Sequence, residues 1–438
     1  MQVLRTHGKA PLRLRPWVIV LAAVVAIALV VGLTHGGGKP PKSGRGSGSG
    51  GGNADTGKTS PASLLSLASS SPAAGAQNVA SNTTIKLNFS APVSLGGARP
   101  TLSPPVAGTW VQSSRTTLAY DLASPLVPSS SEVVTVPGGS KGLEGSDGDH
   151  LAASSSVPFT VAQGDPLRLQ QLLAELDFLP LGFTPSGPAP APQDMAEDQS
   201  GNLSWRWPGQ PAQLTSLWVQ GSVDQITKAA IESFENQNNL TVDGLPGPEV
   251  WRTLLADVAA IKVNDVPYVY VLVNKVRPEN LTLWENGNVD LSNILVNTGA
   301  PGADTTDGTY AVFEHERFSD MKGTNPNGST YNDPNVPYAS YFNGGDALHG
   351  FIRATYGSPQ SNGCVEMAYT NAALVFPLTP IGTLVTVEGP ATPGLPPPAT
   401  TTTTTAPTAT TTVPPPTTTP TTAPATSVPP VTDPPTTP

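Results

Sequence analysis

The sequence predicts a multidomain chain in which an apolar N-terminal helix is followed by a small β-sandwich, a small three-helix module, a mostly-β domain and an unstructured Thr/Pro tail. Three observations lead there. The apolar spacing switches from period two to helical and back to period two along the chain. The 438 residues exceed one ordinary domain, and the 49 prolines and 43 glycines gather in tracts that no packed core could hold. The net charge of −10, with no basic stripe beyond the extreme N-terminus, argues against nucleic acid as a partner.

Residues 1–16 carry Arg5, Lys9, Arg13 and Arg15 ahead of an uncharged run from Trp17 to Leu33. As a helix at ~1.5 Å per residue that run spans about 26 Å, enough to cross a bilayer. The positive flank puts 1–16 in the cytoplasm and everything after Leu33 outside. Residues 17–33 therefore read as a single-pass anchor, with a cleaved signal peptide as the alternative. The run is longer than a signal core, and no clear Ala-x-Ala site follows it. Residues 34–70 are rich in Gly, Ser and Lys and read as a flexible linker.

From Ser71 to Ala162 short alternating runs recur, with Ile85, Leu87 and Phe89 on one face and Val157, Phe159 and Val161 on another. This is the pattern of a β-sandwich, and it resembles the bacterial Ig-like spacer domains. Residues 165–258 change period. Asp165 caps and Pro166 starts a helix whose apolar face is Leu169, Leu172, Leu173 and Leu176. Ile226, Ala230 and Phe234 mark a second helix, and Trp251, Leu254, Leu255 and Val258 a third that starts at Pro248. With Val242-Asp243-Gly244 and Gly247 between the last two, the module resembles peptidoglycan-binding helical domains, a plain helical spacer being the alternative. It departs from them at Pro248-Glu249 and in a long insertion from Gly182 to Ser222 that carries Trp205 and Trp207.

Residues 266–388 return to β-branched and aromatic runs at 268–273, 294–298, 310–313 and 384–387, joined by long Gly, Asn and Pro rich loops. Residues 390–438 are nearly all Thr, Pro, Ala and Val, a composition that cannot bury enough apolar surface to fold.

The single cysteine, Cys364, rules out an internal disulfide and a lipid-modified second cysteine. An unpaired thiol exported to an oxidising compartment raises the question of whether it reacts. Of five histidines only His315 and His349 share its domain, and His349 precedes it by 15 residues. Nucleophilic catalysis by cysteine needs a base for the thiol proton and donors for the developing oxyanion.

His349-Gly350, then Gly357, then Ser361-Asn362-Gly363-Cys364-Val365 resembles the signature of the YkuD-type L,D-transpeptidases. Val296-Asn297-Thr298-Gly299, Thr306-Asp307-Gly308-Thr309-Tyr310, Pro337-Tyr338 and Pro380-Ile381-Gly382-Thr383 stand in the family's order around it. The resemblance implies Cys364 as nucleophile, His349 as its base and the Gly350 carbonyl as orienter of the imidazole. The amides around Gly363 and Cys364 would face the oxyanion, Ser361 and Asn362 would support the loop, and Tyr338 and Phe342 would line the donor site. As plain core aromatics, those last two would look the same in sequence. His315 falls on a strand, as a structural or substrate-side residue.

The implied reaction is peptidoglycan cross-linking: acyl transfer from a tetrapeptide stem to an amine, with stem peptides and glycan as partners and no metal or other cofactor. Its alternatives are an L,D-carboxypeptidase and a catalytically inactive wall-binding protein. One residue departs from the family, Glu366 standing where Arg or Asn is common, and it either faces solvent or pairs with Arg353. A sortase would place its histidine much further upstream and a papain-like protease would reverse the order, so neither pattern fits.

Overall fold

The computed structural model describes residues 65–389. The expected anchor at 17–33, most of the linker and the tail at 390–438 lie outside the described residues, among which no helix is long and apolar enough to cross a membrane.

Ile85, Leu87 and Phe89 are buried while Lys86 between them is exposed, so the alternation read from sequence is the inner face of a strand. Two four-stranded sheets pack around Leu87, Leu118, Val134, Val136 and Phe159. The sandwich begins earlier than composition implies. Leu65 is buried, and the strand Leu67–Ser71 pairs antiparallel with Ile85–Phe89 inside the stretch expected to be linker. Its serines carry no apolar period; the partner strand supplies the order.

Helix α1 (Pro166–Glu175) is capped as expected, the Asp165 carboxylate accepting from the Leu167 amide at 2.7 Å. It packs with α2 (Gln225–Gln237) and α3 (Pro248–Ala260) around Leu172, Leu173, Phe234, Trp251 and Leu254. The insertion is part of this core. Leu181–Pro185 and Gly201–Trp205 form a hairpin whose Phe183 is buried, and Trp207 stacks on Tyr268 at 6.5 Å. Tyr270 and Leu384 of the following β-domain lie in the same apolar cluster. The backbone at Gly382 approaches α2 so closely that a Cβ there would fall 2.7 Å from the Ala229 carbonyl oxygen. The helical module and the β-domain are thus continuous through packed side chains.

The β-domain holds nine strands: β1 (Val269–Asn274), β2 (Asn280–Glu285), β3 (Asn288–Asn297), β4 (Gly308–Ala311), β5 (Glu314–Thr324), β6 (Thr330–Asn343), β7 (Asp346–Gly350), β8 (Val365–Met367) and β9 (Leu384–Glu388). Their order in one sheet is β4-β9-β1-β2-β3-β8-β7-β6-β5. β1, β3, β4 and β9 follow the predicted runs. The long hairpin β5–β6 does not, because its residues are mostly polar and half-exposed and carry no apolar stripe. The core gathers Val271, Val273, Leu281, Leu283, Val296, Leu348, Val365 and Met367. A short helix, α4 (Tyr369–Val375), closes it.

Candidate functional site

β7 and β8 pair in parallel with Leu348 opposite Val365, His349 opposite Glu366 and Gly350 opposite Met367. Leu348, Val365 and Met367 point into the core. Successive side chains alternate faces, so His349 and Glu366 point the other way, and Cys364, one residue ahead of β8, joins them. Parallel pairing thereby gathers two residues 15 apart in sequence onto one face.

His349 is 3% exposed, and its Nδ1 lies 3.1 Å from the Gly350 carbonyl oxygen. A carbonyl only accepts, so Nδ1 carries the proton and Nε2 keeps its lone pair. Burial lowers the basicity of the ring, with the Gly350 carbonyl and Glu366 opposing that shift. The Cys364 thiol is pushed up to about 12, chiefly by burial, against a lowering hydrogen bond from the Ala347 backbone. Its Sγ donates to the Gly345 carbonyl oxygen at 3.5 Å. Both shifts favour the uncharged forms, thiol and imidazole. A base that accepts the proton as the sulfur attacks suits this arrangement better than a standing ion pair.

The turn that delivers Cys364 is fastened from several sides. Ser361 is buried, and its hydroxyl donates to the Cys364 carbonyl at 2.6 Å and accepts from the Gly363 amide at 3.2 Å. Thr298 takes the amides of Gln360 and Ser361 on its carbonyl. The Asn297 carboxamide oxygen accepts from Gly357, Ser358 and Gln360, and the Thr305 hydroxyl donates to the Gly363 carbonyl at 2.5 Å. Asn297, Thr298 and Thr305 thus scaffold the Cys364 loop.

Gly363 adopts φ +115°, and a Cβ there would lie 2.3 Å from Asp346 Oδ1. The positive φ strains any residue with a side chain, and Asp346 would have to move to admit one. Its amide was expected to serve the oxyanion, but Ser361 Oγ occupies it because the tight turn brings the two within bonding distance. Asn362 is exposed and donates to Asn325 at the tip of the β5–β6 hairpin, 2.7 Å away.

Tyr338 and Phe342, expected to line the donor site, both pack on the core of the β-domain, Phe342 inside it and Tyr338 half-buried against it. Phe342 is 3% exposed within the core, facing Tyr310 at 6.0 Å. It offers no face to a substrate. Tyr338, at φ +66°, is half-buried beneath the Arg317 guanidinium at 4.2 Å and edge-on to Phe376. His315 lies on β5, stacked on Phe376 at 3.8 Å with Nε2 2.9 Å from the carbonyl oxygen of Phe376.

Glu366 pairs with Arg353 and is 4% exposed. The guanidinium grips it with two bonds of 2.7 Å and reaches the Gln360 carbonyl at 3.3 Å. This fork ties the loop between His349 and Cys364 to the strand that follows Cys364. The carboxylate that sequence set against a thiolate is thereby compensated. Asp346, the charged group lying against Gly363, escaped sequence analysis, since nothing but the β6–β7 turn brings it to the Cys364 loop.

With this geometry in place, family models match three stretches of the chain. Residues 268–387 match the L,D-transpeptidase catalytic domain, 62–161 the bacterial Ig-like domain and 213–254 the putative peptidoglycan binding domain. Similar solved structures include an L,D-transpeptidase from Mycobacterium smegmatis, 12% identical over 74% of this chain and 100% of that one, with a TM-score of 0.25. L,D-transpeptidase 3 from Mycobacterium tuberculosis is 12% identical over 74% of this chain and 98% of its own, with a TM-score of 0.26. The catalytic domain of the E. faecium enzyme is 24% identical over 28% of this chain and 100% of its own, with a TM-score of 0.25. No curated protein matches the chain. The assignment rests on the family models.

Proposed function

We propose, for a chain whose residues 268–387 belong to the L,D-transpeptidase catalytic-domain family, that it cross-links peptidoglycan by acyl transfer through Cys364. The observation that carries this is the parallel β7–β8 pair, which sets Cys364 and His349 on one face with Nδ1 of the imidazole already committed to the Gly350 carbonyl.

In the first half-reaction Nε2 of His349 takes the thiol proton while Sγ attacks the carbonyl of the third residue of a tetrapeptide stem. The C–N bond to the terminal D-alanine breaks, and the imidazolium returns the proton to that leaving amine. The energy of the broken peptide bond stays in the thioester. In the second half-reaction the amine of a neighbouring stem attacks the thioester, the cross-link forms, and the thiol is regenerated. The flanking Ig-like and peptidoglycan-binding domains suit a protein that works in the wall. The run at 17–33 as single-pass membrane anchor would leave the catalytic part extracytoplasmic.

A carbapenem, a mimic of the acylating stem, tests the nucleophile directly by intact mass. The wild-type chain gains one adduct, Cys364→Ala gains none, and His349→Ala acylates ~10²–10⁴-fold more slowly, the usual worth of a general base. A folded wild-type protein that stays unmodified would return the chain to the reading of an inactive wall-binding protein. Muropeptide products then separate cross-linking from carboxypeptidase trimming.

A further inference from the structure

Asp346 opens β7 directly after the Gly344-Gly345 turn, and residues 345–347 form the immediate surroundings of the nucleophile. The Gly345 carbonyl accepts from Sγ, the Ala347 backbone bonds the sulfur, and Oδ1 of Asp346 lies against the Gly363 backbone, one residue before Cys364. None of the ion pairs among the described residues includes Asp346. The groups facing it are the Asn343 side chain on β6 and, within electrostatic reach, Tyr310 on β4, Tyr331 on β6 and the thiol itself. Glu366, the other carboxylate near Cys364, is by contrast gripped by Arg353.

An uncompensated carboxylate beside the nucleophile works against the first half-reaction, because it opposes the thiolate and the oxyanion alike. The second half-reaction has the opposite electrostatics. Its incoming reactant is an amine, which reaches the site as an ammonium and must shed protons to attack.

We propose that Asp346 is the acceptor-binding group of this site, receiving the ammonium of the incoming stem and taking one of its protons as the amine attacks the Cys364 thioester. This deepens the acyl-transfer function and rests on it. Of the three ammonium protons, the first passes to the Asp346 carboxylate and then to solvent. The second passes to His349 as the C–N bond forms and on to sulfur as the C–S bond breaks. The third remains on the new amide. Burial pushes the Asp346 carboxyl up to about 6, which leaves it ionised at neutral pH yet a better proton acceptor than an exposed aspartate.

Asp346→Asn in the full chain separates the two half-reactions. The probes are a tetrapeptide donor and a second, N-acetylated stem whose free side-chain amine is cationic at neutral pH. Acylation, read by intact mass, stays at the wild-type rate or rises. The ratio of aminolysis to hydrolysis of the acyl-enzyme falls ~10- to 100-fold, the worth of a charge-assisted hydrogen bond. Hydroxylamine, a nucleophile neutral at that pH, resolves both acyl-enzymes at one rate, and Asp346→Glu recovers part of the preference for the cationic acceptor. An unchanged partition ratio in Asp346→Asn, or loss of acylation together with transfer, overturns the proposal. A wild-type chain that never acylates would instead remove the acyl-transfer function beneath it.

Discussion

Arg353→Met leaves the Glu366 carboxylate, 4% exposed, without its counter-charge. Removing one partner of a buried pair costs ~3–5 kcal/mol, because the survivor stays desolvated. The Arg353 side chain is itself 31% exposed, so water replaces part of what the guanidinium supplied, and ~2–3 kcal/mol is expected. At ~1.4 kcal/mol per tenfold, local opening of β7 and β8 becomes ~30- to 140-fold more frequent. Hydrogen exchange on peptides spanning 346–367 reads that opening without requiring the whole multidomain chain to unfold in one step. The double variant Arg353→Met, Glu366→Met removes both charges and restores most of the protection, since two apolar groups of similar size need no solvent. Equal losses in the single and double variants would refute the reasoning: the pair would then act through the packing of its stems and not through compensated charge.

Two further outcomes follow from the site. Because burial lowers His349 basicity, the acid limb of the acylation rate falls below the ordinary imidazole range, and the base stays neutral into mildly acidic solution. The same burial makes the unfolded chain bind the proton more readily than the folded one, so this histidine's contribution to stability is present above the ordinary imidazole value and is lost as pH falls from there through the lowered folded value. A pH–rate profile with its acid limb above the ordinary value would contradict that burial. Gly363→Ala meets both a φ of +115° and Asp346 Oδ1 at 2.3 Å from the new Cβ, so the turn shifts and carbapenem adduct formation drops by at least ~100-fold while circular dichroism is retained. Wild-type acylation in that variant would mean that the turn's geometry has no part in presenting the thiol.

Period-two runs at Ile85 to Phe89 and Val157 to Val161, and helical spacing from Leu169 to Leu176, are local signals, and each element formed where its apolar residues said it would. Cys364 and His349 were legible for a different reason: their residue types and neighbours form a pattern that survives without any knowledge of distance. Asn297 and Thr298 were visible as motif, yet their work is to accept amides from a loop some 60 positions away, which no local pattern states. The β5–β6 hairpin and the first sandwich strand were not legible because their polar residues are ordered by partner strands and not by a face of their own.

By itself, then, the sequence determined the order of domains, the helices and strands with an apolar face, and the cysteine and histidine to which the proposed function gives the roles of thiol and base. Tertiary structure alone decided the electrostatics around them. The backbone spends the Gly363 amide on Ser361, the Arg353 loop compensates Glu366, and the β6–β7 turn sets Asp346 against Gly363 without an ion-pair partner among the described residues. Periodicity records which side of an element faces a core, whereas charge compensation depends on distances between segments that meet only when the sheet closes.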